Sequence, residues 1–263
     1  MNNKLKNLQN LKSKGYAIIG DSYIYSIKRK LRQELLSLSN FILHRNNSKK
    51  KFKNLEDAVR FMFHLDKTTN KKTLSELYEL APTFPFFHNL ASEKKFLNII
   101  KKAGLKIPTV GTNPAIRVDR PFDKKFNTLI HQDFWYSFIS KNSITIWFTI
   151  NNIELNKIGN LKINEEFKNK KILKFKQGNQ QTFSANKNFT KSTSFKEVKL
   201  KKDEILIFNQ LLPHLSGKNI SSYPRISIQL RYNDLKNSRF LKSSFKCVST
   251  DHVKNMQKKY YIK

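Results

Sequence analysis

The chain predicts a mainly β fold with flanking helices, and three observations carry that expectation. Apolar residues recur at helical spacing over the first hundred positions, alternation with period two takes over after Pro114, and no repeat or Pro/Gly/Ser linker divides the two regions. Helices first and strands afterwards describe an antiparallel β core with helices packed outside it. A double-stranded β-helix, or jelly roll, is the leading arrangement, because two closed sheets leave few exposed edges and hold sites in their mouth. The 263 residues suit a single domain. Its helical N-terminal part covers about 1–110, its β core about 111–233 and a basic C-terminal tail about 234–263.

Taken in order, "LEDAVRFMFHL" (55–65) and "SEKKFLNIIKKAG" (92–104) read as helices, the second with Ser92 as N-cap and Gly104 as stop. "LAPTFPFFHNL" (80–90) reads as a loop, because its two prolines oppose regular helix. "AIRVD", "NTLIHQD", "SITIWFTI", "GNLKI", "EILIF" and "RISIQLRY" then read as short strands between polar turns. In "SITIWFTI", Ile144, Ile146, Phe148 and Ile150 share one face, and Thr145, Trp147 and Thr149 the other. In "RISIQLRY", Ile226, Ile228, Leu230 and Tyr232 oppose Arg225, Ser227, Gln229 and Arg231. The polar faces admit two readings: a sandwich with one side in water, or a barrel whose lumen is polar because something polar binds there. Trp147 among threonines favours the second, since a solvent face has little use for a tryptophan.

The charge is strongly basic, with 51 Lys and Arg against 19 Asp and Glu and a formal net charge of +32. Such a balance suits a polyanionic partner. Only nine of the 51 are arginine, however, and the lysines are spread among many Asn, Ile and Phe, the residues an AT-rich coding sequence favours. Phosphate-binding surfaces recruit arginine for its bidentate fork. A solvated basic surface is therefore expected, with no specific nucleic-acid partner. The single cysteine, Cys247, excludes an internal disulfide framework and fits a reducing compartment. The start carries no apolar signal region, and stretches such as "ITIWFTI" fall far below the roughly 20 residues that span a bilayer. The expectation is a soluble, cytoplasmic protein with no membrane span and an oligomeric state that the residues leave open.

His131 and Asp133 form a His-x-Asp pair, which on an extended strand points two ligands to one side. Gln132 between them should face the other way, and Trp135 and Tyr136 are candidates for a pocket wall or the adjacent core. Of the remaining histidines, His44, His64, His88 and His252 lie in helical, loop or tail segments, whereas His214 follows a hydrophobic strand of the β region and is the natural third ligand. Two imidazoles and one carboxylate leave one face of an octahedral iron(II) open, and the lack of thiolates argues against structural zinc. His-x-Asp alone is common by chance. Arg225, eleven residues after His214, discriminates, because an arginine on the polar face can grip a dicarboxylate through two charge-assisted hydrogen bonds, to which Ser227 can add a third.

The segments "HQDFWYSFISKNSITIWFTI", "IGNLKI" and "DEILIFNQLLPHLSGKNISSYPRISIQLRY" resemble the phytanoyl-CoA dioxygenase-like branch of the iron(II)/2-oxoglutarate oxygenases. "LKSKGYAII" is similar to that family's N-terminal element, so the resemblance spans roughly residues 8 to 233. The interval of 81 residues between Asp133 and His214 fits this branch, and an arginine rather than a lysine at 225 separates the chain from prolyl-hydroxylase-like relatives. The resemblance implies a cupin-like jelly roll in which His131, Asp133 and His214 hold Fe(II). It implies that Arg225, with Ser227, binds the distal carboxylate of the cosubstrate 2-oxoglutarate and that Trp147 lines its pocket. Ser216 and Asn219 match a His-x-Ser-x-x-Asn pattern and are expected behind the metal ligands. The implied reaction is hydroxylation of a C–H bond of a small metabolite with O2, releasing succinate and CO2. An aspartate at 133 argues against a halogenase, because those enzymes give up the carboxylate to let chloride reach the iron.

Two departures from the family stand out. "INEEF" replaces a Pro-Gly-Ser-His stretch found in many relatives, and no motif fixes the residue at the C1 carboxylate of 2-oxoglutarate. Arg117 and Thr128 are both candidates there, although Arg117 could equally pair with Asp119 or Asp133. The alternative function is a jelly-roll protein that binds a metal or ligand without catalysing, against which stands the intact set of four residues. The substrate does not follow from the sequence, because variable loops set specificity.

Overall fold

The computed structural model describes residues 8, 10–123, 127–136, 140–151, 158–167, 171–177, 183–185, 189, 194–237 and 258–259. Residues 8 and 10–14 are helical, and the N-terminal region then holds α1 (Ser22–Arg45), α2 (Leu55–Thr68), α3 (Thr73–Leu80), α4 (Pro85–Asn89) and α5 (Lys94–Lys102). Asp21 caps α1 by accepting from the Ile24 N–H at 2.9 Å, and Asn54 caps α2 through the Glu56 N–H at 2.9 Å. Along α1 the buried Ile24, Ile27, Leu31, Leu35, Leu38 and Ile42 follow helical spacing, so one stripe enters the core. Arg32 forks onto the buried Glu56 carboxylate and joins α1 to α2.

Two local expectations are corrected here. Segment 80–90 is a 3-10 turn (Ala81–Thr83) followed by α4. Pro82 and Pro85 each occupy a first turn, where a missing N–H goes unused. Ser92 ends a second 3-10 turn, and Glu93 takes the cap position of α5 without a side-chain bond. Gly104 does stop that helix: at φ 110° it lets its own N–H reach the Lys101 carbonyl and that of Leu105 the Ile100 carbonyl.

Among the described residues ten strands succeed one another: β1 (Tyr16–Gly20), β2 (Pro108–Asp119), β3 (Ser143–Thr149), β4 (Leu161–Ile163), β5 (Phe175–Gln177), β6 (Phe183–Ala185), β7 (Lys196–Glu197), β8 (Glu204–Asn209), β9 (His214–Ser216) and β10 (Arg225–Asp234). A five-stranded sheet runs β1-β8-β3-β10-β2, a three-stranded sheet β7-β4-β9, and β5 pairs with β6; every pairing is antiparallel. The helical region thus contributes one strand, β1. β2 starts before Pro114, which falls in a register shift between Ala115 and Thr112, where a ladder N–H is not required.

The alternation of β3, β8 and β10 sorts side chains onto two faces of the large sheet. Ile144, Ile146, Phe148, Ile205, Ile207, Ile226, Ile228 and Leu230 pack against the helices, with Phe96 against Phe148 at 6.2 Å. Trp147, Leu206 and Phe208 on the other face pack against Leu161 and Ile163 of the small sheet. Thr145, Thr149, Arg225 and Ser227 are buried there as well, so the polar face is enclosed rather than solvated.

"NTLIHQD" is not a strand. His131 forms a single bridge with His214, and Asp133 begins a 3-10 turn through Tyr136. Phe134 and Trp135 are adjacent and both fully buried; a strand would turn one of them outward, whereas a turn buries both. Among the described residues no helix is long and apolar enough to cross a membrane. Beyond Asn237 the basic tail, with Cys247 and His252, lies outside the described residues apart from 258–259.

Candidate metal centre

His131 and His214 exchange backbone hydrogen bonds of 2.9 and 3.0 Å, which set their side chains next to each other with ring centroids 4.1 Å apart. Each ring then turns Nδ1 to the carbonyl two residues earlier: His131 to Leu129 at 2.8 Å and His214 to Leu212 at 3.0 Å. A carbonyl only accepts, so Nδ1 carries the proton and the Nε2 lone pair is left for a ligand. Both Nε2 atoms converge on Asp133 Oδ1, at 3.8 Å from His131 and 4.0 Å from His214. One donor atom from each of the three residues lies within 4.8 Å of the others, and all three side chains are buried.

Two residues of the large sheet orient the Asp133 carboxylate. Thr145 Oγ1 donates to Oδ2 at 2.7 Å, and Arg231 Nη2 donates to Oδ1 at 2.9 Å. Burial opposes ionisation of Asp133, but Arg231 and the two histidines outweigh it and hold the carboxyl well below its usual range. Burial, reinforced by His214, pushes His131 down to about 3, with Asp133 opposing only in part. Burial likewise lowers His214. The group is therefore two neutral imidazoles beside a carboxylate, the protonation state in which such ligands bind a metal.

A second polar cluster sits farther along β10. Arg225 is 1% exposed and places Nε and Nη2 on Asp119 Oδ2 at 3.0 and 2.6 Å. Its Nη1 donates to the Gly159 carbonyl and, at 3.5 Å, to that of Gly217. Both glycines are required by close approach: a Cβ on Gly159 would collide with the Lys218 backbone, and one on Gly217 with the Asn160 carbonyl. Arg117 Nε binds the other Asp119 oxygen at 3.1 Å. Burial again opposes the Asp119 charge, and Arg225 and Arg117 overcome it.

Of the other expected residues, Trp147 lies with its ring centroid 6.0 Å from the Arg225 guanidinium. Ser227 pairs with Thr149 and Arg117 across the sheet, and its buried Oγ has no partner among the described residues. The Thr128 carbonyl accepts from the Ser216 N–H at 3.1 Å, which holds β9 in place. Asn219 Nδ2 donates to the carbonyls of Asp119 at 3.2 Å and Tyr223 at 2.7 Å, tying the loop after β9 to β2. Gln132 faces away from the ligands, with its amide on Lys171 O and Leu173 N. Trp135 stacks on Phe175 at 5.0 Å in a separate core, while Tyr136 meets His131 edge-on at 6.1 Å. Asp119 was expected as an alternative partner of Arg117, which it is, but not as the partner of Arg225; Thr145 and above all Arg231 were not anticipated at the ligands. The signal for Arg231 was present, since the period of β10 puts 225, 227, 229 and 231 on one face.

The sequence matches no protein-family model and no curated protein. Likeness of fold is extensive nonetheless. EctD from S. alaskensis, solved with 2-oxoglutarate and 5-hydroxyectoine, aligns with a TM-score of 0.57 at 12% identity over 91% of this chain and 81% of that one. The non-heme monooxygenase ThoJ in its apo form gives 0.56 at 8% identity over 89% and 79%. The epimerase SnoN, solved with Fe3+, alpha ketoglutarate and nogalamycin RO, gives 0.54 at 11% identity over 87% and 82%. The chain therefore shares the fold of non-heme iron, 2-oxoglutarate-dependent oxygenases and carries a His–Asp–His set able to hold iron.

Proposed function

We propose that this protein is an Fe(II)/2-oxoglutarate-dependent dioxygenase of the phytanoyl-CoA dioxygenase-like kind, built on a closed jelly roll and hydroxylating a C–H bond of a small metabolite. The observation that carries this reading is the buried convergence of His131 Nε2, His214 Nε2 and Asp133 Oδ1. Two neutral imidazoles and one carboxylate, with no thiolate, suit iron(II). Bound iron with 2-oxoglutarate supplies the oxidation, in which 2-oxoglutarate, O2 and R–H give succinate, CO2 and R–OH.

The chain's own residues do the holding. His131, Asp133 and His214 take the metal. Arg225 takes the distal carboxylate of 2-oxoglutarate, aided by the unpartnered Ser227 Oγ on the same face of β10. Asp119 and the glycine carbonyls hold the guanidinium in place and leave one Nη2 hydrogen for the cosubstrate, so a two-bond grip would draw Nε or Nη1 away from its present partner. Trp147 walls that end of the site, and Ser216 and Asn219 hold the strand and loop behind it. The single cysteine suits a soluble protein of the cytoplasm.

Anaerobic protein given Fe(II) and 2-oxoglutarate should develop a weak visible charge-transfer band, absent from Asp133→Ala. Iron bound without any such band would refute the assignment. Release of succinate across a panel of small molecules separates an enzyme from a jelly-roll protein that binds without catalysing.

A further inference from the structure

Beside its apolar stripe, α1 carries a second one that is mostly polar. Tyr25, Lys28, Arg29, Arg32, Gln33 and Leu36 recur at helical spacing and line a cavity of about 230 Å³. The rest of the lining comes from Lys53 ahead of α2, the end of β3 and Lys202 ahead of β8. Five of the lining residues are Lys or Arg, and among the described residues no carboxylate lines the cavity. Two of the nine arginines thus meet in one hollow, which lysine spread by composition does not explain.

The five cations are not equivalent. Arg32 is committed: it forks onto Glu56 and also donates to the Ile150 carbonyl at 3.3 Å and to Asn54 Oδ1 at 3.0 Å. Its charge is already matched, so it serves as wall. Lys28 is buried and makes no ion pair among the described residues. Its Nζ donates to the Glu204 carbonyl and stands 5.4 Å from the Phe148 ring centroid. An ammonium has three N–H groups, so two remain for a ligand. Burial lowers its pKa to about 8, and Asp203 and Glu204 offset this only in part. An anion in the cavity would supply the counter-charge that these two carboxylates do not. The side chains of Arg29, Lys53 and Lys202 are exposed and have no partner among the described residues.

This hollow is not the metal centre. Lys28 packs over Phe148 on the helix side of the large sheet, whereas Asp133 meets Thr145 on the opposite face. Its volume falls below the ~300 Å³ at which pockets for drug-sized molecules begin, so it suits a small anion. Donors enter from three separate segments. A tetrahedral phosphate accepts from several directions, whereas a planar carboxylate is matched by a single arginine fork. We propose that the cavity between α1 and the end of β3 binds a small phosphate-bearing molecule through Lys28, Arg29, Lys53 and Lys202. The site is independent of the oxygenase reading.

Calorimetric titration of the full chain tests it, with pyrophosphate and glycerol 3-phosphate as probes. At about 0.15 M NaCl, exposed charges are screened beyond about 8 Å, which suppresses diffuse attraction. Wild type should bind one equivalent of at least one probe. Arg29→Gln with Lys53→Gln should weaken that binding roughly tenfold or more and leave Tm unchanged, since both side chains are exposed. Lys28→Met should also fold and should weaken it comparably. Lys171→Gln with Lys174→Gln removes the same charge from the segment before β5 and should change nothing. Absence of saturable binding to both probes overturns the proposal. So does unchanged affinity in either the Arg29 and Lys53 pair or Lys28→Met, and so does equal weakening in the Lys171 and Lys174 pair. Tighter binding of single-stranded RNA or phosphatidylglycerol vesicles than of either probe, unaffected by the Arg29 and Lys53 pair, likewise overturns it.

Discussion

Replacing Asp119 by asparagine removes a negative charge from the point where two arginines converge. Asp119 and Arg225 are each 1% exposed and joined by hydrogen bonds of 3.0 and 2.6 Å. Deleting one partner of a buried ion pair costs about 3–5 kcal/mol, because the remaining charge is stranded in low dielectric. Arg225 keeps its two glycine carbonyls in the variant, which places the expected loss at the lower end, about 3 kcal/mol. For a chain of this size that corresponds to roughly 6–12 °C in Tm. Guanidinium unfolding followed by fluorescence suits the measurement, since both tryptophans are buried and Trp147 lies 6.0 Å from the Arg225 guanidinium. The direction with pH also follows. The folded Asp119 pKa is lowered, so its contribution is complete above the unfolded carboxylate pKa near 3.9 and is lost as pH falls through the folded value. Asp119→Asn should therefore have a flatter acid limb than wild type. A loss below about 1 kcal/mol, the scale of an exposed pair, with an unchanged acid limb would refute the view that this buried pair is a cornerstone of the fold.

Other perturbations have equally definite outcomes. Lys28 is buried beneath the large sheet, and burial lowers its pKa to about 8, only partly offset by Asp203 and Glu204. The folded state then binds fewer protons than the unfolded chain between about pH 8 and 10.4, so stability should rise with pH across that window. Lys28→Met should remove that rise and add about 3 kcal/mol at pH 7, as read by urea unfolding at pH 7 and at about pH 10. Gly217→Ala should cost about 1–3 kcal/mol, because its Cβ would strike the Asn160 carbonyl and push the Gly217 and Gly159 carbonyls off Arg225. An increase of about 2.7 kcal/mol in stability is expected at a metal concentration one hundred times Kd, and calorimetry should find no such gain in Asp133→Ala.

The sequence carried the strands and the chemistry of their faces farther than it carried local geometry. Alternation in 143–149 and 225–232 separated Ile and Phe from Thr, Trp, Arg and Ser, and the structure turns those two sets toward the helices and toward the small sheet. His214 was legible from its place just after an apolar strand. The turn at Asp133 was not, because adjacent Phe134 and Trp135 must both enter a core formed by residues far along the chain, including Phe175. Pro82 and Pro85 looked like helix breakers, since their tolerance in first turns depends on where the neighbouring helices start. Arg231 shares the β10 face with Arg225, yet period two cannot say which of several polar residues on one face meets Asp133. That depends on how the 131–136 segment folds across the sheet.

The three ligands have a consequence for the order in which the molecule assembles. His214 belongs to the small sheet, His131 is fastened to it by a two-way bridge, and the Asp133 carboxylate is anchored to the large sheet by Thr145 and Arg231. A partly folded chain whose sheets have not met owns only fragments of this centre, because the fragments lie 81 residues apart in sequence. Capacity for metal therefore depends on the seam that closes when the two sheets dock. On the proposed function, metal uptake would in this way report that the two sheets have docked.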